Sequence, residues 1–225
     1  MKAYIGTSGY SYRWNVGRSL EWYISQGFRT VEINSTFYHF PTSRTVMKWA
    51  NAPDDFIFSI KVHRSISHYS RLKKLDLWEK FVGLFEPMNR KIRFWLIQMP
   101  PGYKACDSNI QDVINFIRSA NDERLVMEFR DPSWWDISNE IIDAGAVFCS
   151  VDAPGLPRSV INSHGITYLR MHGRDRWYAY TYTREELDAL TEELKRSGSE
   201  SAFVYFNNDA MFENASYLLN RFGRV

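Results

Sequence analysis

Eight short runs of apolar, β-branched and aromatic residues, bounded by Gly, Pro, Asn or Asp, recur along these 225 residues at spacings of about 20 to 37. They are Ala3–Gly6, Thr30–Ile33, Phe56–Lys61, Arg93–Gln98, Arg124–Phe129, Ala146–Val151, Ile166–Met171 and Ser201–Phe206. Such spacings exceed a hairpin and leave room for a crossover helix, so consecutive strands are expected to run parallel. The intervening segments carry helix signals. Leu77, Phe81, Leu84, Phe85 and Met88 recur at helical spacing from about Lys74, until Pro87 and Asn89 interrupt them. Ser108 with Gln111 and Thr183 with Glu186 match the capping box, and Gly27, Gly145 and Gly198 stand where left-handed helix ends are expected. The weakest crossover is Ala153–Gly165, whose two prolines allow only a short helix or an irregular turn. The pattern predicts a single α/β domain over residues 1–225, a TIM-type (β/α)8 barrel with a degenerate sixth unit. The competing arrangement is an open doubly wound sheet, but no strand is followed by GxGxxG or GxxxxGK[ST].

A net charge of +2 is too mild to imply nucleic-acid binding and does not oppose an anionic partner. Two cysteines, Cys106 and Cys149, allow at most one disulfide. Cys149 lies within an apolar strand-like run and Cys106 in a loop, so both are expected as free thiols of a cytoplasmic protein. The start, MKAYIGTSGY, lacks a signal-peptide core, and no apolar run approaches the roughly 20 residues that span a bilayer. A soluble, unexported protein without a membrane partner is expected.

The carboxyl ends of the strands, where barrel chemistry gathers, are polar at all eight positions: GTSGY, EINSTFY, SIKVHR, IQMPP, EFRDPSWW, SVDAP, LRMHGR and YFNND. In Thr30–Phe40 an apolar run hands over abruptly to polar and aromatic residues. Val31 and Ile33 point to one face while Glu32 and Asn34 point to the other, so Glu32 is turned inward and needs a partner. The same alternation puts Glu128 with Arg130, and Arg170 with His172, on inward faces. The inward set is Glu32, Asn34, Ser59, Lys61, Gln98, Glu128, Arg130, Asp152, Arg170, His172 and Asn207. Tyr10, Tyr12, Trp14, Phe37, Tyr38 and Trp134 are the rim aromatics.

Any one of these ion pairs could simply close the barrel mouth. Holding so many ionisable groups in one lumen costs several kcal/mol per unpaired ion, which favours a ligand. Arginine forks match phosphate or carboxylate oxygens, so the expected partner is a small anionic or phosphorylated ligand. Glu32, Glu128, Asp152 and His172 could supply an oxygen-rich divalent-metal site. The arginines compete as counter-ions and no HExxH or Cys cluster is present, so a metal is not favoured. His63 and His68 read as solvated loop residues beside Arg64, Arg71, Lys73 and Lys74.

The segments GTSGYSYRW, TVEINSTFY, FIFSIKVHRSISHYSRL, LIQMPP, EFRDPSWW, YLRMHGR and VYFNND followed by ENA resemble the YecE-like family, domain of unknown function 72, from about Ile5 to Leu218. The resemblance implies a TIM-type barrel. Its pattern falls on Glu32, Asn34, Tyr38, Lys61, His68, Gln98, Glu128, Arg130, Trp134, Asp152, Arg170, His172 and Asn207, among others. The chain departs from it at Tyr10, where the family usually has Trp, and in having NVGRSL instead of an FYP-like segment, which shortens the first strand-end loop.

Two functions are weighed. In the first, an enzyme acts on a phosphorylated or otherwise anionic substrate, with phosphoester hydrolysis as one such reaction. Lys61, Arg130 and Arg170 hold the anion, Glu32 or Glu128 serves as general base and His172 as acid or shuttle, while Asn34, Tyr38, Gln98, Trp134, Asp152 and Asn207 line the site. In the second, a nucleic-acid-binding protein without catalysis tracks phosphates and stacks bases. Metal-assisted phosphodiester cleavage lies between them. The sequence leaves the oligomeric state open.

Overall fold

The computed structural model describes residues 1–223. The chain has the TIM-type (β/α)8 fold, with strands β1 (Lys2–Thr7), β2 (Thr30–Ile33), β3 (Ile57–Lys61), β4 (Ile92–Gln98), β5 (Leu125–Glu128), β6 (Val147–Asp152), β7 (Ile166–Met171) and β8 (Ser201–Phe206). Helices α1 (Leu20–Ser25), α2 (Ser43–Ala50), α3 (Leu75–Gly83), α4 (Asp107–Ala120), α5 (Ser138–Asp143), α6 (Arg184–Arg196) and α7 (Met211–Phe222) alternate with them. No helix follows β6 before β7, as the prolines of that segment lead one to expect. The chain forms two compact units, Met1–Glu32 with Phe148–Val225, and Ile33–Val147.

In the first unit β1 pairs in parallel with β8, Ile5 opposite Val204, and β8 pairs with β7. Beyond the end of β1, Ser8 bridges to Glu32 of β2, so β1 has neighbours on both sides as the barrel reading requires. The approach is close: a Cβ added to Gly6 would lie 2.6 Å from the Thr30 carbonyl oxygen, so only glycine fits without a shift. The Tyr23 hydroxyl of α1 ties the two strands, accepting from the Thr7 N–H at 3.0 Å and donating to the Thr30 carbonyl at 3.1 Å. Helix α6 opens on the expected capping box, with Thr183 and Glu186 each satisfying the other's backbone N–H.

The second unit is built on β3, β4 and β5, paired in parallel with Trp95 opposite Leu125. Its core is an aromatic cluster in which Trp95 meets Trp78, Phe81 and Phe85 edge-on at centroid distances of 5.4–6.0 Å. Large-to-small replacement of a ring so buried costs about 3–5 kcal/mol. Trp95 also needs a partner for its N–H, and donates it to Asp122 at 3.1 Å. The capping box expected at Ser108 and Gln111 is absent. Helix α4 begins at Asp107 with Cys106 at its cap, because the preceding Ala105 N–H is held by the Ser133 hydroxyl at 2.9 Å.

Neither cysteine is part of a disulfide among the described residues; Cys106 is exposed and Cys149 buried. An alkylating reagent is therefore expected to label one thiol in the native protein and two after denaturation. Mass spectrometry showing none in the denatured chain would contradict this. No helix among the described residues is long and apolar enough to cross a membrane.

Candidate functional site

In the second unit the ends of β3, β4 and β5 bring Lys61, Gln98, Glu128 and Arg130 together. Lys61 and Gln98 are the last residues of β3 and β4, and Glu128 is the last of β5, in register with Gln98. Lys61 Nζ donates to Gln98 Oε1 at 2.6 Å, and Arg130 Nη2 reaches the same oxygen at 3.3 Å. Arg130 also forms an ion pair with Glu128 at 2.5 Å, with the carboxylate fully buried. A single carbonyl oxygen thus draws two cations, one at the end of β3 and one two residues beyond β5. Beneath them Phe37 supports Lys61, its ring centroid 4.3 Å from Nζ, and Thr36 Oγ1 donates to the Lys61 carbonyl at 2.6 Å.

His68 belongs to this cluster, which corrects its reading as a solvated loop residue. A π-type turn over Ser65–Tyr69 carries it inward, edge-on to Phe37 with centroids 5.0 Å apart and Nδ1 2.9 Å from Ser67 Oγ. Such turns are rare and recur at functional sites. Burial, reinforced by the positive charges of Lys61 and Arg130, lowers its pKa to about 4. Since the unfolded chain protonates this imidazole through about 6.5, its contribution to stability is full above that pH and falls as pH drops towards 4. The urea midpoint should therefore fall less steeply over that window in His68→Gln than in the wild type. Equal slopes would contradict this placement. His63 is also partly buried, which lowers its pKa, and its ring lies 2.8 Å from Ser65 Oγ.

Two expected rim aromatics part company. Tyr38 is half exposed, beside the Arg64 guanidinium at 5.9 Å. Trp134 is fully buried and is no rim residue. The turn Pro132–Trp134 folds it under, stacked on Phe129 at 3.9 Å, with its indole N–H donating to the Tyr103 carbonyl. Asn34 precedes the turn Ser35–Phe37, its carbonyl accepting the Phe37 N–H.

In the first unit Glu32 meets the partner its burial requires. Arg170 donates to both its oxygens, Nε to Oε2 at 3.0 Å and Nη2 to Oε1 at 2.6 Å. Tyr168 and Ser8 hydroxyls donate to them as well, each at 2.7 Å, and all four side chains lie out of solvent. Burial and the Glu32 charge push the Tyr168 phenol well above its ordinary range. Period two from Arg170 leads to Tyr168, a signal the inward list overlooked.

Asp152, at the end of β6, is paired through Oδ2 with Arg174 Nε at 3.2 Å, and Arg174 Nη1 reaches Glu186 at 2.9 Å. Burial nevertheless raises the Asp152 pKa, with Arg174 opposing it. His172 is buried against Trp177 and Tyr178, both 5.4 Å from its ring. Gly173 makes that fold-back possible: its φ is +103°, and a Cβ there would lie 2.7 Å from the Arg176 carbonyl oxygen. Asn207 is partly exposed, its backbone N–H donating to Met171, whereas the Asn208 amide is the side chain tied into the loops, donating to Tyr180 and Asn214 at 2.8 Å. Tyr182 is buried, its hydroxyl accepting the Gly173 N–H at 2.8 Å. Arg174, Tyr182 and Asn208 are absent from the inward list, because they lie beyond the strand ends where alternation no longer applies. Among the described residues no three His, Cys, Asp or Glu side chains gather as metal ligands.

Comparison with known proteins bears on the whole chain. A DUF72 family protein of Thermotoga maritima MSB8, known from its crystal structure, is 27% identical and superposes with a TM-score of 0.87, covering 98% of this chain and 99% of that one. A second, from Enterococcus faecalis V583, shares the fold at 20% identity and a TM-score of 0.87, covering 97% and 94%. The UPF0759 protein YecE of Escherichia coli K12 is 34% identical over 102 residues, 43% of this chain and 37% of the length of YecE. The match thus spans well under half of that curated relative. Residues 4–224 match the family described as "Protein of unknown function DUF72", and the chain belongs to that family.

Proposed function

We propose that this chain is an enzyme acting on a phosphorylated or otherwise anionic substrate, held at the carboxyl ends of β3, β4 and β5. The observation that carries the proposal is the convergence of Lys61 and Arg130 on one Gln98 oxygen. An anion replacing or sharing that contact meets two fixed cations and an amide donor, and a guanidinium fork suits phosphate oxygens. Glu128 stands beside Arg130 as the carboxylate base, and His68, neutral at pH 7, can accept or pass a proton. Phosphoester hydrolysis uses such a set: cations for the developing charge and a base for water. In this reading Arg170 serves Glu32 rather than substrate, because both carboxylate oxygens already take its hydrogen bonds. Two cysteines outside any disulfide fit a reducing cytoplasm.

Calorimetric titration with inorganic phosphate, a phosphomonoester and a single-stranded oligonucleotide, each at two salt concentrations, tests the proposal. The expected result is saturable phosphate and monoester binding with a shallow salt dependence, since one small anion is covered. Oligonucleotide binding with a steep salt slope, and no phosphate binding, would instead mark a nucleic-acid-tracking surface.

A further inference from the structure

Five Tyr, Phe or Trp side chains stand exposed among the described residues, and three of them, Tyr38, Phe40 and Tyr69, lie in the loops after β2 and β3 of the second unit. Single exposed rings are ordinary on a surface, but these are gathered and held. The Arg64 guanidinium lies over both tyrosine rings, 5.9 Å from the Tyr38 centroid and 5.7 Å from that of Tyr69. The π-type turn makes this possible. Its wider loop, closed by the Ser70 N–H on the Ser65 carbonyl at 3.0 Å, carries Tyr69 back to Arg64. His63 joins the two loops, its Nε2 3.3 Å from the Tyr38 carbonyl oxygen and its ring 4.4 Å from that of Phe40. No ion pair ties Arg64 to another described residue, and from Lys61 to Lys74 the chain carries five fixed cations and no Asp or Glu. With Tyr38 54% and Tyr69 70% exposed, both rings offer open surface in a cationic setting.

This platform is continuous with the anion site. The Tyr38 ring packs edge-on against Phe37 with centroids 5.1 Å apart, and Phe37 is the ring that supports Lys61. We infer, resting on the anion site proposed above, that the ligand is a nucleoside monophosphate, free or at the end of a strand, with its phosphate on Lys61 and Arg130 and its base stacked on Tyr38 beside Arg64. Every nucleobase has a flat π-face, and such faces stack on tyrosine rings and on guanidinium planes alike. An aliphatic phosphate would gain nothing from the open rings. A neutral sugar would also stack, but the loop has no carboxylate to accept from its hydroxyls.

Calorimetric titration of the full chain with inorganic phosphate, ribose 5-phosphate, phenyl phosphate, AMP and a 5′-phosphorylated oligonucleotide tests the assignment. AMP is expected to bind about five- to a hundredfold tighter than ribose 5-phosphate, the gain of one stacked base. Tyr38→Ala should remove that advantage while leaving the affinity for inorganic phosphate and the unfolding midpoint unchanged, Tyr38→Phe should retain it, and Lys61→Ala should weaken phosphate and AMP together. An oligonucleotide that binds no tighter than AMP marks the free nucleotide as the ligand; one that binds tighter, with the same dependence on Tyr38, marks a strand end. Phenyl phosphate binding as tightly as AMP would overturn the nucleobase. Phosphate binding with AMP no tighter than ribose 5-phosphate, or an AMP advantage untouched by Tyr38→Ala, would overturn the platform and leave the anion site standing, whereas no binding of any of these phosphates would overturn both.

Discussion

Arg170→Ala is expected to lower stability by about 3–5 kcal/mol, because it strands the Glu32 carboxylate in a place water does not reach. That is a large share of the 5–15 kcal/mol that typically separates folded from unfolded protein. Two retained donors, Tyr168 and Ser8, do not compensate for the lost positive charge. Replacing both partners by neutral groups of similar shape, Glu32→Gln with Arg170→Met, should recover much of the loss, since no charge is then left buried. Urea unfolding of the two single variants and the double variant measures the coupling. A loss under about 1 kcal/mol for Arg170→Ala would mean that water reaches the pair.

Arg130→Ala is expected to weaken phosphate binding by about 1.5–3 kcal/mol, roughly ten- to hundredfold. It also removes the ion-pair partner of the buried Glu128, so stability should fall in parallel, and binding must be measured where circular dichroism shows the chain folded. Lys61→Ala separates the two effects: Lys61 bonds the neutral Gln98, so its removal should cost similar affinity with less stability. If Arg130→Ala unfolds the protein while the folded fraction keeps its phosphate affinity, Arg130 is a structural counter-ion for Glu128 and the anion site fails.

Much of the fold was legible in the sequence because two periodicities carried it. The ends of β2, β7 and β8 coincide with their apolar runs, and the other strands differ by a residue at one or both ends. Glu32 could be recognised as inward and in need of a cation from alternation alone, and Arg170 is that cation. What stayed hidden depends on backbone geometry that alternation does not encode. The π-type turn at Ser65–Tyr69 turns His68 onto Phe37, and a short turn at Pro132 buries Trp134, although both residues looked like loop or rim positions. At Ser108 the Ser133 hydroxyl holds the chain just before α4 and no box forms, while at Thr183 the box forms through Glu186 Oε2 even though Oε1 takes Arg174 and Tyr180.

In the proposed function Lys61 and Arg130 hold an anion together. Anomalous diffraction from crystals soaked in tungstate, a heavy phosphate analogue, tests it most directly. The expected result is a peak within hydrogen-bonding reach of Lys61 Nζ and the Arg130 guanidinium, beside the Gln98 amide, absent in Lys61→Ala. A peak away from both residues, or one at this position that persists unchanged in Lys61→Ala, would contradict it.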